Sequence, residues 1–348
     1  MNEKSSKILK VGLIGTGSSA LNIAETISRN KEVKLVAISN HRIESAKKIA
    51  EKYNVEYLTN DYKELCRRSE LDFVIISTPH SLHYEMAKYA LNQNKHVLVE
   101  KPIAINVSQA KELIKLSNSK NLKLGVHFQC RFFGAIKKAK EMIENNTLGK
   151  ILQVNISVMW FRDKDYYLKS SWRGKWNLEG GGSLINQAIH TIDEMIYLLG
   201  DVKKVFGFYE AKYHDIETED NTAAIFLMEN GVFGTIQTST ATKAAFPAKL
   251  TIFGVEGGLE ITGNILTYFK PDGSQEIMDF TIAEEGGQIA SAKDPRKFSL
   301  QAHGDLLKDF CEAIFNNRQP LVNGTEGLKS IKFVEAFYKS NGKKIINL

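Results

Sequence analysis

The sequence predicts an α/β protein with an N-terminal doubly wound parallel sheet and a C-terminal α+β domain that contains a large, mostly antiparallel open sheet. The 348 residues are enough for two hydrophobic cores. Short apolar strand patterns alternate with helical patterns over the first third, which is typical of parallel strands joined by helices. After His127 the pattern changes to successive short β-type segments, and we therefore expect domains at residues 1–127 and 128–348.

Short apolar segments in the first third predict buried strands, because helices cover both faces of a doubly wound sheet. These strands are expected at residues 10–14, 33–39, 72–77, 96–99 and 122–126. Helical patterns separate them, at residues 20–29, 43–53, 82–92 and 107–119. Strand and helix alternate without a long interruption, so a single parallel sheet is predicted.

The second half begins with a helical pattern at residues 134–145 and a long strand pattern at 151–161. Shorter β-type segments with Gly or Asn turns between them follow at residues 221–227, 232–239, 248–253, 258–262 and 265–269. Two more helices are expected at residues 306–316 and 325–340. An antiparallel sheet of this kind can keep one face for a partner.

Composition and charge exclude several classes of function. Hydrophobic residues make up 43% and charged residues 25% of the chain, as in globular proteins. The net charge of +6 is spread along the sequence, whereas nucleic-acid binding requires a concentrated basic patch, so no nucleic-acid partner is expected. The polar N-terminus and the lack of a long apolar segment predict no membrane partner. Three widely spaced cysteines predict reduced thiols in a cytoplasmic protein.

A glycine-rich turn, Gly-Thr-Gly-Ser-Ser-Ala at residues 15–20, follows the first predicted strand and opens the first predicted helix. The first glycine permits the tight turn, the second lets the backbone approach a diphosphate, and the helix N-terminus offers N–H groups to its oxygens. The turn therefore predicts a Rossmann-type dinucleotide site. The expected contacts are Gly15, Thr16, Gly17, Ser18 and Ser19.

The end of the second strand normally distinguishes NAD from NADP, because a carboxylate there binds the ribose 2′-hydroxyl. Here the sequence continues as Asn40-His41-Arg42, without a carboxylate. Asn40 can hydrogen-bond either form, and Arg42 can pair with a 2′-phosphate. Both residues can equally cap the next helix. We expect NADP or NAD as cofactor, with a slight preference for NADP.

Two more motifs end predicted strands, Ser-Thr-Pro-His at residues 77–80 and Val-Glu-Lys-Pro at 99–102. Together with Arg131 and the segment GGGSLINQAIHTID at 180–193, they resemble the Gfo/Idh/MocA family of oxidoreductases over nearly the whole chain. The resemblance implies that Lys101 is catalytic. The residues expected to line the cofactor cleft are Thr78, Pro79, His80 and Glu100.

Lys101 lies at the predicted carboxyl end of a parallel strand, where open α/β sheets bind ligands. The positive charge of an oxidised nicotinamide disfavours a nearby ammonium, which favours proton exchange with a substrate hydroxyl. His190 is the second catalytic candidate, and it shares a helical face with Asn186. The family usually has Asp where this chain has Asn186, so an Asp–His dyad is not available. Either Lys101 or His190 can accept the proton.

Aromatic and basic residues precede the glycine run, namely Arg162, Tyr166, Tyr167, Trp172, Arg173 and Trp176. Aromatic faces suit sugar rings and guanidinium groups suit carboxylate or phosphate, although a packed loop uses the same residue types. The expected substrate contacts are Arg131, Trp172, Arg173, Asn186 and Asp193. His80 and His83 are three residues apart, but no carboxylate or cysteine completes a ligand set, so no metal is expected and His83 is interpreted as local structure.

Together these features predict an NAD(P)-dependent oxidoreductase that transfers a hydride between nicotinamide and a secondary hydroxyl or ketone of a sugar, nucleotide sugar or cyclitol. Two alternatives stay open, an NAD-dependent glycosidase acting by transient oxidation and elimination, and a non-catalytic NAD(P)-sensing regulator. Retention of Lys101 and His190 argues against the regulator. The resemblance also implies a homodimer or homotetramer assembled through the C-terminal sheet.

Overall fold

The structure, a computed structural model, describes residues 8–17, 19–281 and 300–348. The chain divides into two compact units. The N-terminal unit is Met1–Phe128 with His303–Leu328, and the C-terminal unit is Gln129–Ala302 with Lys329–Leu348. The three cysteines are buried, and none of them is in a disulfide within the described residues. Among the residues described, no helix has the length and apolar character needed to cross a membrane.

The N-terminal unit contains a parallel sheet, as the alternating sequence pattern predicts. Its strands are Leu9–Ile14 (β1), Val33–Ser39 (β2), Tyr57–Thr59 (β3), Phe73–Ile76 (β4), His96–Glu100 (β5) and Leu124–His127 (β6). Its helices are Ala20–Arg29 (α1), Ile43–Tyr53 (α2), Tyr62–Arg67 (α3), His80–Asn92 (α4) and Val107–Ser119 (α5). The strand order in the described part of the chain is β3-β2-β1-β4-β5-β6. The order reverses between β1 and β4, which is where such sheets bind ligands.

The C-terminal unit contains the second sheet. Its strands are Ile151–Met159 (β7), Val202–Glu210 (β8), Asn221–Met228 (β9), Phe233–Ser239 (β10), Lys249–Gly254 (β11), Gly257–Thr262 (β12), Ile265–Phe269 (β13), Gln275–Asp279 (β14) and Ile346–Asn347 (β15). The helices after α5 are Gly134–Glu144 (α6), Lys164–Leu168 (α7), Trp176–Glu179 (α8), Ile189–Leu199 (α9), Leu300–Phe315 (α10) and Gly324–Ser340 (α11). The strand order over the described residues is β14-β13-β12-β11-β7-β10-β9-β8-β15, and only the β7–β10 pair is parallel there.

The two faces of the second sheet differ in burial, because successive side chains along each strand point to opposite faces. In β7, Val154, Ile156 and Val158 are buried. On the other face, which we call the open face, large apolar side chains are exposed. The most exposed of these are Ile277, Phe233, Phe208 and Ile225. The open sheet predicted from the sequence is confirmed.

The segment His303–Leu328 belongs to the N-terminal unit, whereas the division at residue 127 assigned it to the second domain. Phe310 packs against Phe73 with ring centroids 5.5 Å apart. The backbone N–H of Val126 donates to the carbonyl of Val322 at 2.9 Å. These contacts join residues almost 200 positions apart or more, and no local pattern in the sequence encodes them.

Candidate active site

Gly15 makes the turn after β1 and has a φ of +95°. Its N–H donates to the carbonyl of Ser39 at 2.8 Å. A Cβ at this position would lie 2.2 Å from the carbonyl oxygen of Ser77, so only glycine fits. A Cβ on Gly17 would lie 3.4 Å from the same carbonyl oxygen. The turn thus lies directly against the end of β4.

Helix α1 begins at Ala20, and its N-cap residue, Ser19, makes no capping hydrogen bond through its side chain. The first N–H groups of a helix have no intrahelical partner and attract anions. Thr16 and Gly17 keep some exposure ahead of this helix end, while Ser18 lies outside the described residues. The tight glycine turn and the helix N-terminus fit a dinucleotide diphosphate.

The carboxyl ends of β1, β4 and β5 lie side by side, because Ile14 pairs with Ile76 and Ile76 pairs with Val99. The glycine turn and the Ser77–His80 motif directly follow the ends of β1 and β4, and the Glu100–Pro102 motif begins with the last residue of β5. The structure therefore brings the predicted residues of the N-terminal unit to one edge of the sheet. Lys101, Thr78 and Pro79 are partly exposed at this edge, whereas His80 is buried at the start of α4.

Glu100 is almost completely buried below this edge. Burial raises the pKa of its carboxyl group, while the charge of Lys101 and a hydrogen bond from the Ser19 hydroxyl oppose the rise. Nδ1 of His127 is 3.6 Å from Oε1 of Glu100. Nε2 of His127 is 2.6 Å from Nδ1 of His303, and burial lowers the pKa of His127 to about 4. Glu100 thus lies in a buried polar layer that supports the motif of Lys101.

The end of β2 carries the residues expected to select the cofactor. The side-chain amide of Asn40 donates to the carbonyl of Arg42 at 2.8 Å, which closes a local turn. Arg42 is exposed, and its Nε donates to His41 at 3.2 Å. Asn40 therefore has the local structural role that was one of its two interpretations, and Arg42 keeps its guanidinium at the surface.

The glycine run of the C-terminal unit is explained by two close approaches. A Cβ on Gly181 would lie 2.1 Å from the hydroxyl oxygen of Tyr338. A Cβ on Gly182 would lie 1.9 Å from the carbonyl oxygen of Glu219. The Glu219 carboxylate also accepts the N–H groups of Gly182 at 2.6 Å and Leu184 at 2.9 Å. Glycine is required here because the loop lies directly on Glu219 and Tyr338.

Asn186 lies in a π-helical turn, Ser183–Ala188, which continues into α9 with His190 in its first turn. Such turns are rare and often occur at functional sites. The side-chain nitrogen of Asn186 donates to the Glu179 carboxylate and to the Tyr166 hydroxyl at 3.2 Å. Burial raises the pKa of Glu179 to about 7. Sequence reasoning missed Glu179, because nothing in the pattern places it beside Asn186.

The predicted aromatic and basic cluster forms around Tyr166. The guanidinium of Arg173 lies 4.1 Å from the centre of the Tyr166 ring and 5.0 Å from that of Trp172. Arg162 lies 5.4 Å from the Tyr166 ring and donates to Gln187 at 3.0 Å. These cation–π contacts join Trp172 and Arg173 to Tyr166, and the hydrogen bond from Asn186 to the Tyr166 hydroxyl adds Asn186 to the same cluster.

Arg131 and Asp193 form a bidentate ion pair, with distances of 2.7 and 2.8 Å. Each side chain is only 1% exposed. The guanidinium of Arg131 also lies 4.8 Å from the ring of Tyr197. The two residues were expected to contact substrate, but in this arrangement each neutralises the other inside the core, and we assign the pair a structural role.

The NAD-binding Rossmann-fold model of an oxidoreductase family matches residues 9–128. The Gfo/Idh/MocA C-terminal domain model matches residues 136–260. The chain belongs to the Gfo/Idh/MocA family of oxidoreductases. It is therefore an oxidoreductase with an NAD-binding Rossmann fold, as the motifs predict.

Relatives of this Gfo/Idh/MocA oxidoreductase match it over nearly their full lengths. The uncharacterized oxidoreductase YrbE of Bacillus subtilis is 24% identical over 96% of this chain and 94% of its own. Myo-inositol 2-dehydrogenase of Thermotoga maritima is 23% identical over 97% of each chain. The WlbA dehydrogenase of Bordetella pertussis, solved with NADH and UDP-GlcNAcA, has the same fold, with a TM-score of 0.85, 23% identity and 98% coverage of both chains.

Proposed function

We propose that this oxidoreductase oxidises a secondary hydroxyl of a sugar, nucleotide sugar or cyclitol, or reduces the corresponding ketone, with NAD(P). The observation that carries the proposal is the position of Lys101 directly after β5, at the sheet edge that holds the Gly15 turn and the N-terminus of α1. A lysine at this edge can exchange a proton with a hydroxyl next to the cofactor. The relatives that act on inositol and glycosyl compounds support the substrate class.

The bound nicotinamide supplies the hydride acceptor or donor in this reaction. The chain's own part is to bind, orient and exchange a proton. Lys101 of the N-terminal unit and His190 of the C-terminal unit are the two groups proposed for the proton. Asn186 is proposed to orient the substrate, since its amide nitrogen faces Glu179 and Tyr166 and its orientation is therefore fixed.

The cluster around Tyr166 supports a substrate that carries an acidic group. Stacked guanidinium groups such as Arg173 bind carboxylate or phosphate, and the rings of Tyr166 and Trp172 can lie against a sugar ring. We therefore place an acidic sugar or a nucleotide sugar first among the candidates. Exposed Arg42, with no carboxylate at the end of β2, likewise supports NADP over NAD.

The exposed apolar side chains of the open face support assembly as a homodimer or homotetramer through this sheet. Phe208, Ile225 and Phe233 are all more than 60% exposed in the single chain. Contiguous apolar surface of this kind is typical of protein–protein interfaces.

The first test is fluorescence titration of the purified protein with NADH and NADPH, followed by turnover with a panel of neutral sugars, uronic acids and nucleotide sugars. We expect binding of both cofactors, tighter for NADPH, and turnover of an acidic member of the panel. Arg42→Ala should remove the preference for NADPH and leave NADH binding unchanged. Failure to bind either cofactor would refute the proposal, while release of an aglycone without net cofactor reduction would identify a glycosidase.

A further inference from the structure

His83 lies in the first turns of α4 and has no exposed surface. Its Nδ1 is 2.7 Å from the carbonyl oxygen of Pro102, and its Nε2 is 2.9 Å from the carbonyl oxygen of Thr78. Both partners are backbone carbonyls, which only accept hydrogen bonds, so either neutral tautomer of the ring donates to one of them and the doubly protonated ring donates to both. A single buried ring therefore spans the two segments that follow β4 and β5.

These two segments are expected to have different tasks in the reaction. Thr78 belongs to the turn proposed to line the cofactor cleft, and Pro102 directly follows Lys101. The carbonyl of Pro102 is one residue away from the Lys101 backbone, so a hydrogen bond to it restrains the base of the lysine side chain. Among the residues that the structure describes, no other side chain forms a hydrogen bond with the carbonyl of Pro102 or of Thr78.

The ring also explains why a histidine is present instead of a smaller polar residue. An asparagine nitrogen coincides in position with Nδ1 and a glutamine nitrogen with Nε2, so either replacement can reach one carbonyl only. Two nearby charges affect the pKa of His83. The charge of Glu100 raises it, and the charge of Lys101 lowers it. Burial has the largest effect and lowers the pKa of the ring, whereas the carbonyls of Pro102 and Thr78 favour the doubly protonated form that donates to both of them.

We propose that His83 is a positioning residue that holds Lys101 through the Pro102 carbonyl and holds the Thr78 turn through its other ring nitrogen. This inference rests on the proposed function of Lys101. It goes beyond the local structural role expected for His83 from the sequence, because the two ring nitrogens are assigned to two separate parts of the reaction.

The two nitrogens can be tested separately. His83→Gln keeps the donor near Thr78 and removes the one at Pro102, and we expect it to lower kcat by about 10- to 100-fold, as a small misplacement of a catalytic group does. His83→Asn keeps the donor at Pro102 and removes the one at Thr78. We expect this variant to weaken NADH binding more than His83→Gln does and to lower kcat less.

The link to Lys101 has its own readouts. The double variant His83→Gln/Lys101→Ala should be no slower than Lys101→Ala alone, because both changes then act on one group. The labelling rate of the Lys101 amine by formaldehyde and cyanoborohydride, followed by peptide mass spectrometry in the cofactor-free protein, should change at least about threefold in His83→Gln and less in His83→Asn. His96→Gln, at the opposite end of β5, is the matched control and should leave this rate unchanged.

Equal effects of His83→Gln and His83→Asn on kcat, NADH affinity and Lys101 labelling would overturn the inference and leave a purely structural histidine. The same holds if the losses only follow the melting temperature. The labelling measurement needs no substrate, so it decides the inference even if the wild-type protein turns over nothing. Lack of turnover or of cofactor binding would instead refute the proposed function.

Discussion

The side-chain nitrogen of Asn186 donates a hydrogen bond to the carboxylate of Glu179, a residue that is only 1% exposed. A carboxylate accepts hydrogen bonds, so the amide of Asn186 has only one orientation that satisfies it. The family's usual Asp at this position would place a second, half-buried carboxylate against the buried Glu179. The departure from the family pattern is thus matched to a neighbour that the sequence motif does not include.

Substitutions that exchange the amide and the carboxylate between residues 186 and 179 should show that these two side chains depend on each other. Asn186→Asp is expected to lower the free energy of unfolding at pH 8 by about 1–3 kcal/mol, because a half-buried carboxylate then faces the buried carboxylate of Glu179. At pH 6 the loss should be smaller, since the pKa of Glu179 is raised to about 7 and its protonated form can donate. The double variant Glu179→Gln/Asn186→Asp restores a donor and should recover stability at pH 8. Urea unfolding at both pH values measures this, and a double variant no more stable than the single would contradict it.

The ion pair of Arg131 and Asp193 should matter for stability. Asp193→Ala leaves a guanidinium buried without its counter-charge and is expected to lower the free energy of unfolding by about 3–5 kcal/mol. Replacing both residues, as Arg131→Met/Asp193→Leu, should cost less than Asp193→Ala alone. Chemical denaturation of the wild type, the single variant and the double variant measures these differences in the free energy of unfolding. A variant of normal stability whose KM is raised would show instead that Asp193 contacts substrate.

Glu194 should make the protein less stable as the pH rises. Burial and the charge of Asp193 raise its pKa to about 8, well above the unfolded value near 4.5. The folded state therefore holds a proton that the unfolded state releases, and stability falls between about pH 4.5 and 8 by at most about 1.4 kcal/mol per pH unit from this group. Glu194→Gln should reduce that slope in unfolding experiments from pH 5 to 8. The exposed Glu229→Gln is the control, and equal slopes in the two variants would contradict the assignment.

Lys101→Ala should lower kcat by roughly 10²–10⁴ if Lys101 exchanges the substrate proton. Cofactor affinity should change little, since the proposed diphosphate site consists of the Gly15 turn and the N-terminus of α1. Steady-state kinetics and NADH titration measure the two effects separately. Lys111→Ala, at an exposed position of α5, is the control for removal of a lysine. Near-normal turnover in Lys101→Ala would contradict this role and favour His190 as the group that exchanges the substrate proton.

The open face should determine the assembly. Ile225 and Phe233 lie on neighbouring strands of this face, and aspartate at both positions would bury charge in an interface. We expect the variant Ile225→Asp/Phe233→Asp to sediment as a monomer and the wild type as a dimer or tetramer. Leu168→Asp makes the same change at an exposed apolar residue outside the sheet and should not alter the mass. A monomeric wild-type protein would contradict assembly through this face.

Local sequence was sufficient for most elements of the N-terminal unit. The predicted helices at residues 20–29, 43–53 and 107–119 match α1, α2 and α5, because their apolar periodicity and flanking residues act within one or two turns. Most of the missed elements were short, such as β3, α3 and β14, and the nine-residue β8 was missed because apolar and polar residues do not alternate strictly along it. The division at residue 127 differed from the observed units because the segment 303–328 joins the first sheet through Phe310 and Val322.

The sequence by itself determined the two sheets, the glycine turn at Gly15 and the motif of Lys101, since each depends on residues close together in the chain. Only the tertiary structure decided that Arg131 is neutralised by Asp193, that Glu179 orients Asn186 and that His83 joins Thr78 to Pro102. Hydrogen bonds and ion pairs of this kind depend on distances of about 3 Å between side chains. No periodicity or spacing encodes such a distance, because it follows from how all the elements of a unit pack together.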